Sequence, residues 1–222
     1  MEIKQLNRPP KDLVERFRSV STCTISDILD RMEFLGVIFG LSPVKEGTVL
    51  VGPAVTVKQV SGSFGTYSME DYPISQVIDY VKPGDVLVFD NGGMQISSWG
   101  GLVSVAAKAK GIEGVVIDGG CRDADQIVGI NFPVFSRHIT PTTCKTRVKI
   151  LEINGIIQCC GIRIKPGDII VADQTGIVVV PQEKANDILE KAKEDQTKEE
   201  HFIQGLKEGK KFNEMQKIIG LL

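Results

Sequence analysis

The apolar residues of this chain follow two patterns, continuous runs and a spacing of three to four residues. The runs VLVFD (86–90) and GVVID (114–118) are typical of strands that are buried on both faces. Between them, LVSVAAKAKG (102–111) has the apolar spacing of a helix and ends at a glycine. Strands that alternate with helices predict an α/β fold, and successive strands of such units are usually neighbours in the sheet.

The same criteria predict the other elements. TVLVGPAVTVKQV (48–60) indicates a strand pair or a bent strand, and the later strands are FPVFSR (132–137), VKILEI, IIQCCGIRI, DIIVAD and GIVVVP. Helices are predicted at 11–20, at Thr24–Met32 with Ser26 or Thr24 as N-cap, within 68–81, and at Lys184–Glu200 with a helical tail. We therefore predict one α/β domain over residues 1–222 with a mixed sheet. Residues 183–222 would form a helical extension that docks on another subunit.

Composition excludes several classes of protein. The net charge is −2, which gives no indication of a nucleic-acid partner. No apolar run reaches the roughly 18 residues of a membrane span. The five cysteines form no CxxC pair, which argues against a disulfide framework and favours a reducing cytoplasm. The two histidines are far apart in the sequence, so a poly-histidine metal site is not expected.

Candidate chemistry begins at Gly100 and Gly101, which stand at the start of the predicted helix 102–111. Free N–H groups at a helix start bind small anions, and glycines let a ligand approach the backbone. The alternative is that both glycines only allow a tight turn. The sequence is neither GxGxxG nor a P-loop, so it does not indicate a nucleotide.

The second candidate is the segment DGGCRD (118–123), which we interpret as the end of a strand followed by a Gly-Gly turn. Arg122 would reach the same sheet edge as the glycines and complete a clamp for a carboxylate. Asp123 would hold Mg²⁺ or Mn²⁺, which bind one or two carboxylates together with waters and substrate oxygens. This pattern favours a 2-oxo acid as ligand. The alternative is a surface ion pair, with Asp123 capping the next helix.

At these residues the sequence resembles a known family. SWGGLVSVAAKAKGIEGVVIDGGCRDADQIVGINFPVFSR, with TISDILDRM, VGPAVTV, VKPGDVLVFDNGG and PGDIIVADQTGIVVVP, is similar to regulator of ribonuclease activity A and the 4-hydroxy-4-methyl-2-oxoglutarate (HMG) aldolases. The resemblance covers nearly the whole chain. It implies a swivelling-domain-like α/β/β sandwich and a homotrimer or hexamer with active sites between subunits. For the aldolase members it implies metal-dependent class II cleavage of pyruvyl compounds.

The resemblance also implies residue roles. Gly100, Gly101, Leu102 and Val103 would hold the pyruvyl carboxylate through their backbone amides. Arg122 would bind the substrate and stabilise the enolate oxygen, and Asp123 would be the direct protein ligand of the metal. Glu199 would reach the site of a neighbouring subunit, with Glu200 as the alternative.

Two positions depart from many aldolase members. Gly101 and Gln126 stand where those members carry acidic residues, and such losses around a metal site typically cost 10–100-fold in affinity or activity. Members that regulate the ribonuclease lack the metal aspartate, which this chain has at position 123. Two functions are therefore predicted. One is a metal-dependent lyase that cleaves or decarboxylates a 2-oxo acid, and the other is an oligomeric regulator that binds a protein such as ribonuclease E.

Overall fold

The computed structural model describes residues 1–219, which form thirteen strands and seven α-helices. The strands are β1 (Glu2–Ile3), β2 (Val37–Ile38), β3 (Ser42–Pro43), β4 (Leu50–Ser61), β5 (Val86–Asp90), β6 (Ser97–Trp99), β7 (Gly114–Cys121), β8 (Val134–Ile139), β9 (Val148–Ile153), β10 (Ile157–Cys159), β11 (Ile162–Ile164), β12 (Ile169–Ala172) and β13 (Ile177–Val180). The helices are α1 (Lys11–Arg16), α2 (Thr22–Arg31), α3 (Ile74–Tyr80), α4 (Gly101–Ala109), α5 (Ala124–Gly129), α6 (Ala185–Lys207) and α7 (Phe212–Ile219).

The sheet is mixed, as predicted, and most of it follows the order β2-β13-β12-β4-β5-β7-β8-β3. Strands β4, β5, β7 and β8 are parallel neighbours, and the helices α3, α4 and α5 lie between consecutive members of this group. Strand β4 is a single long strand rather than a strand pair. Its first half pairs with β12 and its second half with β9, both antiparallel.

Alternation along β5 shows how the layers are built. Leu87 and Phe89 face a core that also contains residues of α3 and α4, whereas Val86 and Val88 face a core shared with β12, β13 and the hairpin β10–β11. On the far side of β12 and β13, a third core packs against α1, α2 and α6. The α/β/β arrangement is therefore present, and additional helices cover its second β layer.

Four local predictions were wrong. The predicted strand IIQCCGIRI is two strands, β10 and β11, which pair as an antiparallel hairpin. Strand β7 does not end at Asp118 but continues through Gly119 and Gly120 to Cys121, so the two glycines are not a turn. The predicted helix 68–81 is divided into a short 3-10 turn and α3, with Pro73 at the N-cap of α3 because proline has no N–H to donate to a preceding turn. The N-cap of α2 is Ser21, whose side chain accepts a hydrogen bond from the Thr24 N–H.

The C-terminal extension is helical, and α6 is longer than predicted because it continues to Lys207. Residues 220–222 of the predicted extension lie outside the described residues, and the division into one domain over 1–222 stays a prediction. Among residues 1–219, no helix has the length and apolarity needed to cross a membrane.

Candidate functional site

A short strand brings the two candidate segments together. Strand β6 pairs with the end of β7, with Trp99 opposite Cys121, and the Arg122 N–H donates to the Trp99 carbonyl oxygen at 3.0 Å. Helix α4 begins two residues after β6, and α5 begins three residues after β7. The start of α4 and the Arg122-Asp123 pair therefore lie side by side, as the sequence predicted.

Asp123 connects these two segments. Its Oδ2 accepts a hydrogen bond from the Gly101 N–H at 3.1 Å, at the start of α4. The residue occupies the N-cap position of α5 in a left-handed conformation with φ 57°. Among the described residues, its side chain makes no capping hydrogen bond to α5. The interpretation of Asp123 as a simple helix cap is therefore wrong, because its carboxylate is directed at the neighbouring helix.

Arg122 forms only a loose ion pair with this carboxylate. Arg122 Nε lies 3.5 Å from Asp123 Oδ2, and both side chains are 42 % exposed. A Cβ atom added to Gly100 would lie 2.8 Å from Asp123 Oδ2 and 3.2 Å from Arg122 Cγ. Glycine at position 100 thus provides the space that the two charged side chains occupy. Because both groups are half-exposed and weakly paired, they are available to a ligand.

These residues open onto a cavity of about 340 Å³. Its walls come from the chain between positions 69 and 145, and they include Met69, Tyr72, Ile74, Ser97, Ser98, Trp99, Gly100, Leu102, Val103, Arg122, Asp123, Thr143, Cys144 and Lys145. Most of the lining is apolar, and the charged residues in it are Arg122, Asp123 and Lys145. A cavity of this size, with a few convergent polar groups, is typical of small-molecule sites.

Hydrogen bonds hold two residues of the cavity lining, Tyr72 and Ser98, in place. The Tyr72 hydroxyl donates to the Ser98 carbonyl oxygen, and the Ser98 hydroxyl donates to Gln59 Oε1 at 2.7 Å. Burial raises the pKa of the Tyr72 hydroxyl far above its usual value, so this group stays protonated and acts as a donor. Burial also raises the pKa of the Cys144 thiol, although the nearby Arg122 charge acts in the opposite direction.

The fold and this site can be compared with known proteins. The family model described as RraA-like, Aldolase/RraA, matches residues 22–179, which is well over half of the chain. The chain belongs to the Aldolase/RraA family. The family match includes β6, the start of α4, Arg122 and Asp123, whereas the whole of α6 lies beyond it.

Individual members of the Aldolase/RraA family are similar over most of their length. A candidate 4-hydroxy-4-methyl-2-oxoglutarate aldolase of Halalkalibacterium halodurans is 36% identical over 190 residues, which are 85% of this chain and 86% of the relative. An uncharacterized protein of Methanocaldococcus jannaschii, MJ0644, is 39% identical over 163 residues, 72% of this chain and 74% of the relative.

Solved structures agree on the fold. An uncharacterized protein of Pseudomonas syringae superposes with a TM-score of 0.83 at 29% identity, covering 95% of this chain and 99% of that one. Streptomyces coelicolor RraAS2, described as an unusual member of the RNase ES inhibitor RraA protein family, has a TM-score of 0.80 at 28% identity and covers 89% and 98%. Relatives named for aldolase activity and for ribonuclease inhibition thus share this Aldolase/RraA fold.

Gly101 and Gln126, the two positions that the family resemblance marked as departures, are neighbours in space. A Cβ atom added to Gly101 would stand 1.9 Å from Gln126 Oε1, so the Gln126 side chain covers the Gly101 backbone. Because the two residues are twenty-five positions apart in the sequence, the sequence alone does not indicate this contact. Gly101 and Gln126 therefore form one local pair beside Asp123 rather than two independent positions.

Glu199 is placed differently from the other predicted residues. It is exposed on α6, which packs on α1, α2 and α7, whereas the cavity lies on the side of α3 and α4. Within the described part of the chain, neither Glu199 nor Glu200 lines the cavity of its own subunit. A role for either residue would require a second copy of the chain.

Sequence reasoning missed two of the segments that line the cavity. Residues 69–74 and 143–145 approach the site from segments that are distant in sequence, and they have no motif that marks them. Trp99 is 2 % exposed and stacks on Phe132 with ring centroids 6.1 Å apart, so it is mainly a packing residue.

Proposed function

We propose that this Aldolase/RraA protein is a divalent-metal-dependent lyase that acts on a small 2-oxo acid. The reaction is retro-aldol cleavage of an HMG-type substrate, decarboxylation of oxaloacetate, or both. One observation carries the proposal: Arg122, Asp123 and the amino end of α4 meet at the wall of one cavity. The names of relatives such as the H. halodurans protein support the same class of activity.

The metal site would be centred on Asp123, and Mg²⁺ or Mn²⁺ suits it. The carboxylate is half-exposed, and the Gly101 N–H fixes its orientation. Hard cations of this kind commonly bind one or two protein carboxylates and complete their shell with water and substrate oxygens. When bound, the ion supplies a Lewis acid for the oxygen atoms of the substrate.

The remaining chemistry belongs to the chain itself. The first N–H groups of a helix have no acceptor within the helix, so the N–H groups of Leu102 and Val103 can bind the substrate carboxylate. The Arg122 guanidinium would bind the keto oxygen and stabilise the negative charge that develops there. Among the described residues lining the cavity, Asp123 is the one carboxylate. Decarboxylation needs no base, whereas aldol cleavage does, so we expect decarboxylation to be the more efficient reaction.

The active form would be a homotrimer or hexamer in the cytoplasm, in which Glu199 of one subunit approaches the cavity of the next. Support comes from Leu102, which is 79 % exposed beside the cavity and would be covered by a neighbouring copy. The free state of all five cysteines agrees with a reducing compartment.

The deciding experiment measures oxaloacetate decarboxylation and HMG cleavage with Mg²⁺ and with EDTA. Asp123→Asn should lower the metal-dependent rate at least ~100-fold, because the several kcal/mol that a bound metal contributes would be lost. Asp125→Asn is the matched control, since it removes an exposed carboxylate two residues away and should leave the rate unchanged. A rate unaffected by EDTA, or full activity of Asp123→Asn, would reject the metal assignment.

The second candidate is a regulator that binds a protein partner such as a ribonuclease. It is favoured by the absence of carboxylates at positions 101 and 126 and by the similarity to Streptomyces coelicolor RraAS2. A protein that binds pyruvate or oxalate but turns over neither substrate would support this second function.

A further inference from the structure

A cluster of soft and hard ligand atoms lies on the opposite face of β7 from the cavity. Ile117 of this strand faces the core beneath α4, whereas Val116 faces the core between the two β layers. Asp118 follows the same alternation as Val116 and therefore points between the β layers. The thiol of Cys159, at the end of β10, is buried in the same core.

The hairpin β10–β11 brings a second thiol to this point. Its two turn residues, Cys160 and Gly161, both have positive φ, at 51° and 84°. Asparagine or glycine usually occupies such turn positions, so a cysteine at position 160 is conformationally costly. Cys160 is partly buried, and its backbone N–H donates to Asp118 Oδ2 at 2.7 Å. The turn thus fixes two adjacent thiols against one carboxylate.

The three ligand atoms, one from Asp118 and the two sulfurs of Cys159 and Cys160, lie within 4.8 Å of one another. Thiolates select soft cations such as Zn²⁺ and Cd²⁺ over Mg²⁺. We propose that Asp118, Cys159 and Cys160 form a binding site for a thiophilic divalent cation, separate from the Asp123 site. The partly exposed side of Cys160 leaves room for a water as the fourth ligand.

Charge balance supports this assignment. Asp118 Oδ1 accepts from Arg137 Nε at 2.8 Å, so this carboxylate is already neutralised. The nearby Asp90 faces Lys58, whose Nζ lies 3.9 Å from its carboxylate. Both cysteines must lose their protons to bind the cation. One divalent cation therefore replaces two protons, and the net charge of this largely buried cluster does not change.

Cd²⁺ and Co²⁺ are suitable probes because thiolate ligation gives each of them a charge-transfer absorption band. Titration of the intact, reduced protein should give a band that saturates at one ion per chain. A pH indicator in weak buffer should record release of about two protons per ion.

Variants locate the site. Cys160→Asn, which suits the left-handed turn, and Cys159→Ser should each weaken binding of Cd²⁺ at least ~10-fold, because each removes a thiolate ligand. Cys23→Ser and Asp123→Asn are the controls and should leave the band unchanged. A band that survives both cysteine variants, or that disappears with Asp123→Asn, would overturn the proposal. Thermal unfolding of each variant without metal separates loss of the ligand from loss of the fold.

Discussion

Gln126 Oε1 lies where a side chain on residue 101 would begin, 1.9 Å from the position of a Cβ atom on Gly101. A carboxylate can therefore be introduced at position 101 only if the Gln126 side chain rotates away. We expect Gly101→Asp alone to gain little aldolase activity. In Gly101→Asp combined with Gln126→Glu, repulsion between the two carboxylates turns the side chain at 126 away. This double variant should raise HMG cleavage at least ~10-fold and change oxaloacetate decarboxylation much less, because only cleavage needs an oriented base.

A double-mutant cycle with steady-state kinetics on both substrates measures this dependence. The two changes should be strongly non-additive, because the side chains share one space. Equal gains on both substrates, or efficient HMG cleavage by the unmodified protein, would mean that other groups supply the base.

Arg122→Lys keeps the positive charge but loses the planar fork of the guanidinium. We expect kcat/KM for oxaloacetate to fall roughly 100-fold, because the interaction strengthens as charge develops on the keto oxygen. Arg163→Lys, at an exposed position of β11, is the matched control. An unchanged kcat/KM for Arg122→Lys would leave Arg122 as a surface ion-pair partner of Asp123.

Glu199 can be tested by mixing two inactive variants. If its carboxylate serves a neighbouring subunit, Arg122→Ala and Glu199→Gln should each have low activity, and exchange of their subunits should restore part of it. A complete site then forms where an unmodified Arg122 meets an unmodified Glu199. A second mixture contains Glu200→Gln in place of Glu199→Gln. It is the control if Glu199 acts, and it tests the alternative that Glu200 acts. A stable, active monomer in light scattering would contradict the arrangement.

We expect Asp168 to make the free energy of unfolding depend on pH. This buried side chain accepts hydrogen bonds from the Lys165 and Gln182 N–H groups at 2.7 and 3.2 Å, but burial raises its pKa to about 6. The native state therefore holds the proton more tightly than the unfolded chain. As pH rises from about 4 to about 6, the free energy of unfolding should fall by roughly 3 kcal/mol through this group.

Urea unfolding of the protein and of Asp168→Asn, from pH 4.5 to 7.5, isolates this contribution. Asparagine has no titration here, so the stability of the parent relative to the variant should decrease across the interval and then become constant. A difference that stays constant with pH would show that the two backbone N–H groups compensate for burial.

The sequence predicted the parallel core well because the pattern there is local. Val86–Asp90 and Gly114–Asp118 pair residue by residue, as their continuous apolar runs suggest. The extension of β7 through Gly119 and Gly120 was not predictable, because glycines in a strand look like a turn. Glycine is needed at both positions because other segments leave no space for a side chain. A Cβ atom added to Gly119 would lie 3.0 Å from Asn91 Cβ, and one added to Gly120 would lie 2.7 Å from Thr140 Cγ2.

The site was predictable only in part, because the apolar pattern marks local boundaries of strands and helices but not tertiary contacts. Gly100, Arg122 and Asp123 follow strand and helix boundaries that the apolar pattern marks. Tyr72 and Cys144 reach the cavity through tertiary packing, and the contact between Gly101 and Gln126 depends on how two helices begin. Such distances are set by the assembled layers and leave no periodic signal in one sequence.

The chain contains a single tryptophan, and its position gives the protein a built-in optical probe. The Trp99 indole N–H donates to the Ser104 hydroxyl at 2.7 Å, and that hydroxyl donates to the Gly100 carbonyl oxygen at 3.0 Å. The indole is thereby connected to the first turn of α4, where the substrate carboxylate would bind. We therefore expect its emission spectrum to report ligand binding at the cavity without any label, so that ligand titrations need no coupled reaction.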